Sequence, residues 1–538
     1  MDRHGTALSA RSLSWAAVVP TVFLAWFFLY PVGRILWISL SGGGNPIDLL
    51  TSVGLWDVVA FTVGQALAST MLTLLIGLPV AGVFARFQFR FKRTLKALIT
   101  IPFVLPTVVV ASAFLSLVGP RGVVGVNLEG TLALILIAHV FYNVAVVVRV
   151  VGALWETVDP RMEEAATMLG ASRFTAFRSV TLPLLRPGLL AAASLVFLFT
   201  FTSFGVVLIL GGLAFETLEV AIYNRAIQAF DLQGAALLSL VQLLGVGLTL
   251  GWYAHYQRSH AVQRSLSAPV QAAKPPTGLR EQLWVRLTLG LIVAFTVTPL
   301  LMLVARSLRA GGEYSLTFYR RLAERDTAFA VPPAEAIGNS MRFAFAAAVI
   351  AVVVGGLAAA VVAYGRGPSS RWFDAVLMLP LGTSAVTVGF GFLVALDRPI
   401  DLRASIWIIP IAHALVAVPF VVRSAVPVMM TVQHRLREAA AMLGASPLRA
   451  FREIDLPLVA RALMVGAAFA FAISLGEFGA TAFIVRPDNP TLPIAIERFL
   501  SRPGEVNFGQ AMAMASILMV ITAVSIGLID HRRGRGGF

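Results

Sequence analysis

Read along the chain, hydrophobic residues come in long unbroken runs, not with the period of two of a strand or the 3.6 of a surface helix. Such runs recur from Trp15 to Ile526, each near the ~20 residues that carry a helix across a bilayer. They predict spans over 15–40, 58–85, 97–118, 131–154, 188–212 and 233–256. A second set follows over 286–305, 338–364, 373–395, 405–427, 462–485 and 508–529. Between the sets, 257–285 holds Ser, Gln, Ala and the pair Pro275-Pro276, the composition of a linker. The expected fold is an all-α polytopic membrane protein of about 12 transmembrane helices. Its divisions are a first unit over 1–256, a cytoplasmic linker over 257–285 and a second unit over 286–538. An outer-membrane barrel is excluded, because its strands alternate apolar and polar over about 10 residues. The first run is too long for a signal-peptide core and lacks a small-residue cleavage site, so it is expected to stay as an anchor.

The two sets are copies of one another. Glu164-Ala165-Ala166-Thr167-Met168-Leu169-Gly170 returns as Glu438-Ala439-Ala440-Ala441-Met442-Leu443-Gly444, displaced by 274 (438 minus 164). At the same displacement Leu105-Pro106 matches Leu379-Pro380, Ala138-His139 matches Ala412-His413, and Arg149 matches Arg423. So do Leu182-Pro183 and Leu456-Pro457, Phe204-Gly205 and Phe478-Gly479, and Thr217-Leu218 and Thr491-Leu492. One offset holding across five spans is not what shared membrane composition produces. With six spans per copy the repeats run parallel, related by an axis along the membrane normal, and the transport path is expected where they meet.

Charge sets the orientation. The net charge of +15 is arginine placed in short loops, not a patch for nucleic acid, so no nucleic-acid partner is expected. Arg86, Arg90, Lys92, Arg93 and Lys96 follow span two, and Arg161, Arg173, Arg178 and Arg186 follow span four. Arg435, Arg437, Arg449, Arg452 and Arg461 follow span ten, and Arg532, Arg533 and Arg535 follow span twelve. These loops read as cytoplasmic, with both termini inside. The loop 306–337 falls outside despite Arg306, Arg309, Arg320, Arg321 and Arg325; it also carries Glu313, Glu324, Asp326 and Glu335, and its length weakens the rule.

The loops 155–187 and 429–461 hold the repeated acidic stretch. Helix formers run from Glu163 to Leu169 and stop at Gly170, a residue suited to the positive φ of a helix C-cap. Asp159-Pro160 supplies a helix start that the second copy, beginning after Thr431 or Gln433, lacks. A basic amphipathic stretch follows each glycine and ends in Leu-Pro. The expectation is a short helix, a glycine turn and a second short helix along the membrane surface. Small residues there admit a partner's surface, and Glu164 or Glu438 offers a charge to an arginine.

Glu-Ala-Ala, three residues, Gly, nine residues, a β-branched residue, one residue and Leu-Pro resembles the signature of bacterial ABC-importer permeases. Both copies fit in full: Glu164, Ala165, Ala166, Gly170, Val180 and Leu182-Pro183, then Glu438, Ala439, Ala440, Gly444, Ile454 and Leu456-Pro457. The resemblance implies the type I importer permease fold in the bacterial cytoplasmic (inner) membrane. It also implies that these loops are coupling helices, each seated on one of two copies of a cytoplasmic ABC ATPase, with an extracytoplasmic substrate-binding protein delivering the solute. No cofactor is then bound by this chain, and Mg-ATP sits on the ATPase. A fused pair of units resembles the thiamine and ferric-iron branch. The stretches Phe201 to Leu208 and Ser474 to Gly479, with their Thr-Leu pairs, resemble thiamine permeases, though Gly-Glu-Phe-Gly also occurs in molybdate-type permeases. Thiamine or a thiamine phosphate is the favoured cargo, with ferric iron, another small ligand or an oxyanion as the alternative.

Absences narrow the rest. No Gly-x4-Gly-Lys-Ser/Thr occurs, so the chain has no P-loop, and zero cysteines exclude thiol catalysis and iron–sulfur clusters. His139 and His413 show no metal-ligand spacing and are expected to make helix-packing hydrogen bonds, with an iron or proton role as the alternative. A secondary transporter would need ion-coupling acids within its spans, and only Glu477 lies clearly inside one, opposite Ser203 by the offset. Ser203, Phe204, Glu477 and Phe478 are the candidates for the substrate path; alternatively, Arg423 or a backbone donor partners Glu477.

Overall fold

The computed structural model describes residues 10–41, 54–212, 214–260, 273–324, 330–365, 367–431 and 434–534. The first repeat forms α1 (Leu13–Ser41), α2 (Leu55–Arg86), α3 (Lys92–Val104), α4 (Thr107–Val118) and α5 (Leu132–Trp155). It continues through α6 (Arg161–Met168), α7 (Arg173–Phe201), α8 (Gly205–Leu210), α9 (Leu218–Tyr223) and α10 (Leu232–His260). The second repeat opens with α11 (Leu279–Ser307), a two-residue-per-strand hairpin of β1 (Arg309–Ala310) and β2 (Glu313–Tyr314), and α12 (Thr317–Arg321). Then come α13 (Glu335–Tyr364), α14 (Pro368–Met378), α15 (Ala385–Ala395) and α16 (Ile408–Thr431). It closes with α17 (His434–Met442), α18 (Arg452–Gly476), α19 (Thr481–Ile484), α20 (Leu492–Leu500) and α21 (Glu505–Gly534).

Ten helices among the described residues are long and apolar enough to cross a membrane, and two bent pairs bring the number to 12 when each counts as one crossing. The expected spans 97–118 and 373–395 are those pairs: α3 meets α4 at 102°, and Pro368–Gly382 meets α15 at 97°. The repeated Leu-Pro is the cause in the first. A proline bars the αR region to the residue before it, and Leu105 takes φ −67°, ψ 144°. In the second, a 3₁₀ turn over Leu379–Gly382 ends at extended Thr383, and the Ser384 hydroxyl accepts from Thr387 N at 3.0 Å to start α15.

The other Leu-Pro pairs do the opposite. The basic stretch after Gly170 is not a separate helix but the first turns of α7, which runs through Pro183 without a break. A proline inside a helix loses one hydrogen bond and clashes with the carbonyl four residues earlier. Here a π turn over Phe177–Thr181 widens the helix just ahead of Pro183 and takes up the misfit. The same device precedes Pro457, over Phe451–Asp455, and Pro31, over Ala25–Leu29.

The described chain packs as two compact units: one of Gly54–Ala221 and Leu244–Ser315, and a larger one that takes in α1, 222–243 and the chain from Leu316 onward. In the first, Val80, Phe84, Ile99, Val144, Val148 and Ile292 form one cluster, and Phe295 meets Phe141 edge-on with ring centroids 5.6 Å apart. A Cβ on Gly77 would stand 2.7 Å from Val147 Cβ, so only glycine lets α2 lie this close to α5. In the larger unit Phe27 packs on Phe392 (6.1 Å) and Tyr30 donates to the Arg398 carbonyl (3.3 Å). The opening helix of each repeat therefore packs with helices of the other set. Met71, Leu75, Leu244 and Leu248 are apolar and exposed, as side chains facing lipid are.

Candidate coupling elements and buried polar stations

Asp159 Oδ1 accepts from Arg161 N at 2.9 Å and starts α6 one residue later than the sequence pattern predicts. At its other end, Gly170 N donates to Thr167 O (3.0 Å) and Ala171 N to Ala166 O (3.1 Å). That is the paired bonding of a Schellman motif, and it needs the positive φ of Gly170, +89°. The second copy repeats it atom for atom: Gly444 N to Ala441 O (3.0 Å), Ala445 N to Ala440 O (2.9 Å) and φ +82° at Gly444. Ser172 and Ser446 then cap the next helical turn, accepting from Thr175 N (3.1 Å) and Arg449 N (3.4 Å). The turns present Met168 and Leu169 at 89% and 90% exposure, and Met442 and Leu443 at 89% each. Each turn thus holds two large apolar side chains in the open.

The carboxylates divide the work. Glu163 is the anchor: its carboxylate stands 3.0 Å from Arg86 at the end of α2 and accepts from the Thr181 hydroxyl in the π turn. Glu164 is exposed and 3.3 Å from Lys274, whose backbone bridges back to Arg86 O (3.1 Å) and Gln88 N (3.0 Å). The repeated motif points to Glu164 and passes over Glu163, Arg86 and Thr181. A signal for them is present in the offset, which turns Glu163 into Arg437 and Thr181 into Asp455, a charge exchanged between copies. The side chain of Glu438 lies outside the described residues; Ala439 and Ala440 stand in α17 as Ala165 and Ala166 stand in α6.

The substrate-path candidates sit where two spans break. Helix α7 ends at Phe201 and resumes at Gly205, and α18 ends at Gly476 with α19 starting at Thr481. Ser203, Phe204, Glu477 and Phe478 are all buried. His139 bridges Ser69 Oγ and Ser203 Oγ, each at 2.9 Å, and so ties α2, α5 and the first break together. His413 Nδ1 meets Ser474 Oγ (2.7 Å), and its Nε2 meets Thr481 Oγ1 (2.8 Å) and Glu477 Oε2 (3.2 Å). Thr481 gives its hydroxyl proton to Glu477 (2.7 Å), so the His413 Nε2–H donates towards Thr481 Oγ1 and Glu477. Both histidines therefore serve helix packing, and no group of three or more His, Cys, Asp or Glu able to hold a metal occurs among the described residues.

Glu477 is not partnered by Arg423, which stands 3.4 Å from Asp374 instead. Its two oxygens accept from Ala480 N (2.8 Å) and Thr481 N (3.1 Å), the backbone-donor alternative. The carboxylate caps the restart of the chain into α19. Close packing completes the station: a Cβ on Gly389 would lie 2.6 Å from the Ala480 backbone.

Up to twelve crossings among the described residues, in two repeats that each carry the same helix and glycine turn after the fourth span, define a duplicated membrane permease. The chain belongs to the family of binding-protein-dependent transport system inner membrane components, whose profile matches it twice, over 73–260 and 351–533. It is 29% identical to the thiamine transport system permease protein ThiP of Brucella abortus (strain 2308) over 98% of each chain. The ThiP of Escherichia coli (strain K12) is 27% identical over 89% of this chain and 90% of its own. A probable ABC transporter permease protein, y4fN of Sinorhizobium fredii, is 26% identical over 88% of this chain and 86% of its own. The chain is thus a permease subunit of an ABC transporter and not itself an enzyme, and its family works with an ATPase and a binding protein.

Proposed function

We propose that this chain is the membrane subunit of an importer for thiamine or a thiamine phosphate, driven by two copies of a cytoplasmic ATPase. Each copy docks on one exposed turn, at Gly170 or Gly444, and the Met-Leu pair of each turn enters its groove. ATP and Mg²⁺ stay on the ATPase; this chain binds no cofactor. An extracytoplasmic binding protein hands the solute to the outer face, and both termini lie in the cytoplasm of a bacterial inner membrane.

The observation that carries the coupling part is the duplicated Schellman turn with its exposed apolar pair. Cargo rests on the relatives named for thiamine transport that span nearly the whole chain. The broken spans at 202–204 and 477–480 each supply non-helical backbone inside an apolar stretch, the usual setting of a solute path, and Ser203 and Phe204 in the first and Glu477 and Phe478 in the second are the path residues this reading assigns. Proteoliposomes holding the permease, its ATPase and its binding protein should accumulate labelled thiamine only with internal-face ATP. Accumulation of ferric iron but not of thiamine would reverse the cargo assignment; uptake driven by an ion gradient without ATP would reject the ABC reading.

A further inference from the structure

The coupling account leaves one anomaly of charge without a role: Arg306 and Arg309 stand at the end of α11 that the proposed topology puts outside, against the usual placement of arginine. Helix α11 carries an exposed stripe at helical spacing, made of Leu287, Leu291, Ala294, Thr298 and Leu301. Three leucines in the open on a spanning helix face lipid. Where the stripe narrows to Ala294 and Thr298, a cleft of about 210 Å³ opens. Phe295 and Pro299 line it from α11, Val118 from α4 and Ile137 from α5. Of its ten lining residues only Thr298 has a polar side chain, so the cleft offers little to water and suits an apolar chain.

The rim at the outer end is basic. Arg306 follows Pro299 by seven residues (306 minus 299), which returns it to the same face of α11. Its Nη2 donates to the Arg121 carbonyl, in the loop that follows Val118. Its buried Nε meets no acceptor among the described residues. Arg121 is exposed, and its loop folds back along α4 through Val123 N to Ser116 O (3.1 Å) and Val124 N to Leu117 O (3.1 Å). Val123, Val124 and Val126 are left in the open. Exposed valines beside arginine at the end of a span suit the boundary between acyl chains and headgroups. Arg121, Arg306 and Arg309 outnumber the acids of the same two loops, Glu129 and Glu313, so the rim is net positive. Cleft and rim belong to one compact unit. An apolar cleft on a lipid-facing stripe, with a positive rim two turns further along, complements an acyl chain that ends in an anionic headgroup.

We propose that this cleft holds one acyl chain of an anionic phospholipid, with Arg306 and Arg121 meeting the headgroup. Only the choice of the outer leaflet rests on the proposed topology; the site is independent of the cargo. The complex of permease and ATPase can be reconstituted in nanodiscs of equal parts phosphatidylglycerol and phosphatidylcholine. After re-extraction in mild detergent, native mass spectrometry reads the lipid it keeps. The wild type should keep phosphatidylglycerol over phosphatidylcholine by about tenfold. Arg306→Gln should remove that preference, and Arg306→Lys, which keeps the charge, should retain most of it. Ala294→Phe fills the cleft from an exposed position and should lower retention of both lipids by about tenfold. Equal retention of the two lipids by the wild type would overturn the proposal, and so would a preference that survives Arg306→Gln. Wild-type retention in Ala294→Phe would leave only headgroup pairing at the surface and overturn the cleft. If Arg306→Gln does not assemble, Ala294→Phe against the wild type decides.

Discussion

Valine at Gly170 or Gly444 separates the turn's geometry from everything else in the protein. A Cβ at either position meets nothing within 4 Å, so no crowding enters; the cost is the backbone angle alone, φ +89° and +82°. A non-glycine residue held there loses about 1 kcal/mol, and a β-branched one on the order of 1–3 kcal/mol. About 1.4 kcal/mol shifts an equilibrium tenfold, so strain of this size weakens the Schellman geometry by at least about that factor. The cores of both units are untouched, so insertion and thermal stability should not change. Uptake and ATP hydrolysis stimulated by loaded binding protein should fall severely in either single variant, because the proposed mechanism needs an ATPase seated on each turn. Alanine at the same positions should give a smaller loss, in the order of the strain. The first copy keeps further ties, Asp159 to Arg161 N (2.9 Å) and Glu163 to Arg86 (3.0 Å), so the two variants need not be equal. If both valine variants bound the ATPase and transported at the wild-type rate, the turns would not be the coupling elements.

Glu163→Ala should uncouple transport more than Glu164→Ala, because it strands a half-buried Arg86 at a cost of about 1–3 kcal/mol, whereas the exposed Glu164–Lys274 pair is worth ~0–1 kcal/mol. Uptake per ATP hydrolysed reads the difference, and equal ratios would refute it. His413→Ala should destabilise the protein by about 1–3 kcal/mol and by more than His139→Ala, because it takes a partner from the buried Glu477 carboxylate as well as from Ser474 and Thr481, whereas His139 is bordered only by serine hydroxyls. Thermal unfolding in detergent should rank them in that order. A Ser315→Cys variant should react with an impermeant thiol reagent added outside intact cells, and a clean signal is assured by a chain without cysteine of its own. Labelling only after permeabilisation would invert the topology.

Most of the architecture is legible in the sequence because long apolar runs and a constant offset are properties of residue type alone. The turn is legible too, since a glycine after helix formers has few other uses. Prolines are harder: Pro106 bends its span by 102°, whereas Pro183 is absorbed by a π turn, and nothing in the pair Leu-Pro itself separates the two outcomes. The two outcomes differ in the turn ahead of the proline, extended at Leu105 and widened over Phe177–Thr181, and residue type alone does not show which one packing selects. Glu163 is inconspicuous beside Glu164 for a similar reason, as its partners Arg86 and Thr181 come from two other helices. The sequence leaves Glu477 a choice between Arg423 and a backbone donor, and the carboxylate takes its own backbone at Ala480 and Thr481. The packing of α1 with the second set's helices is a property of tertiary structure that no local pattern carries.

If each turn is a docking element, one permease chain engages two ATPases. The intact mass of the purified complex, recorded under native conditions with its own ATPase in excess, measures this directly. The mass expected is that of one permease chain with two ATPase subunits, falling to one ATPase when a single turn is disabled by Gly170→Val or Gly444→Val. A wild-type complex of one permease with one ATPase would contradict it.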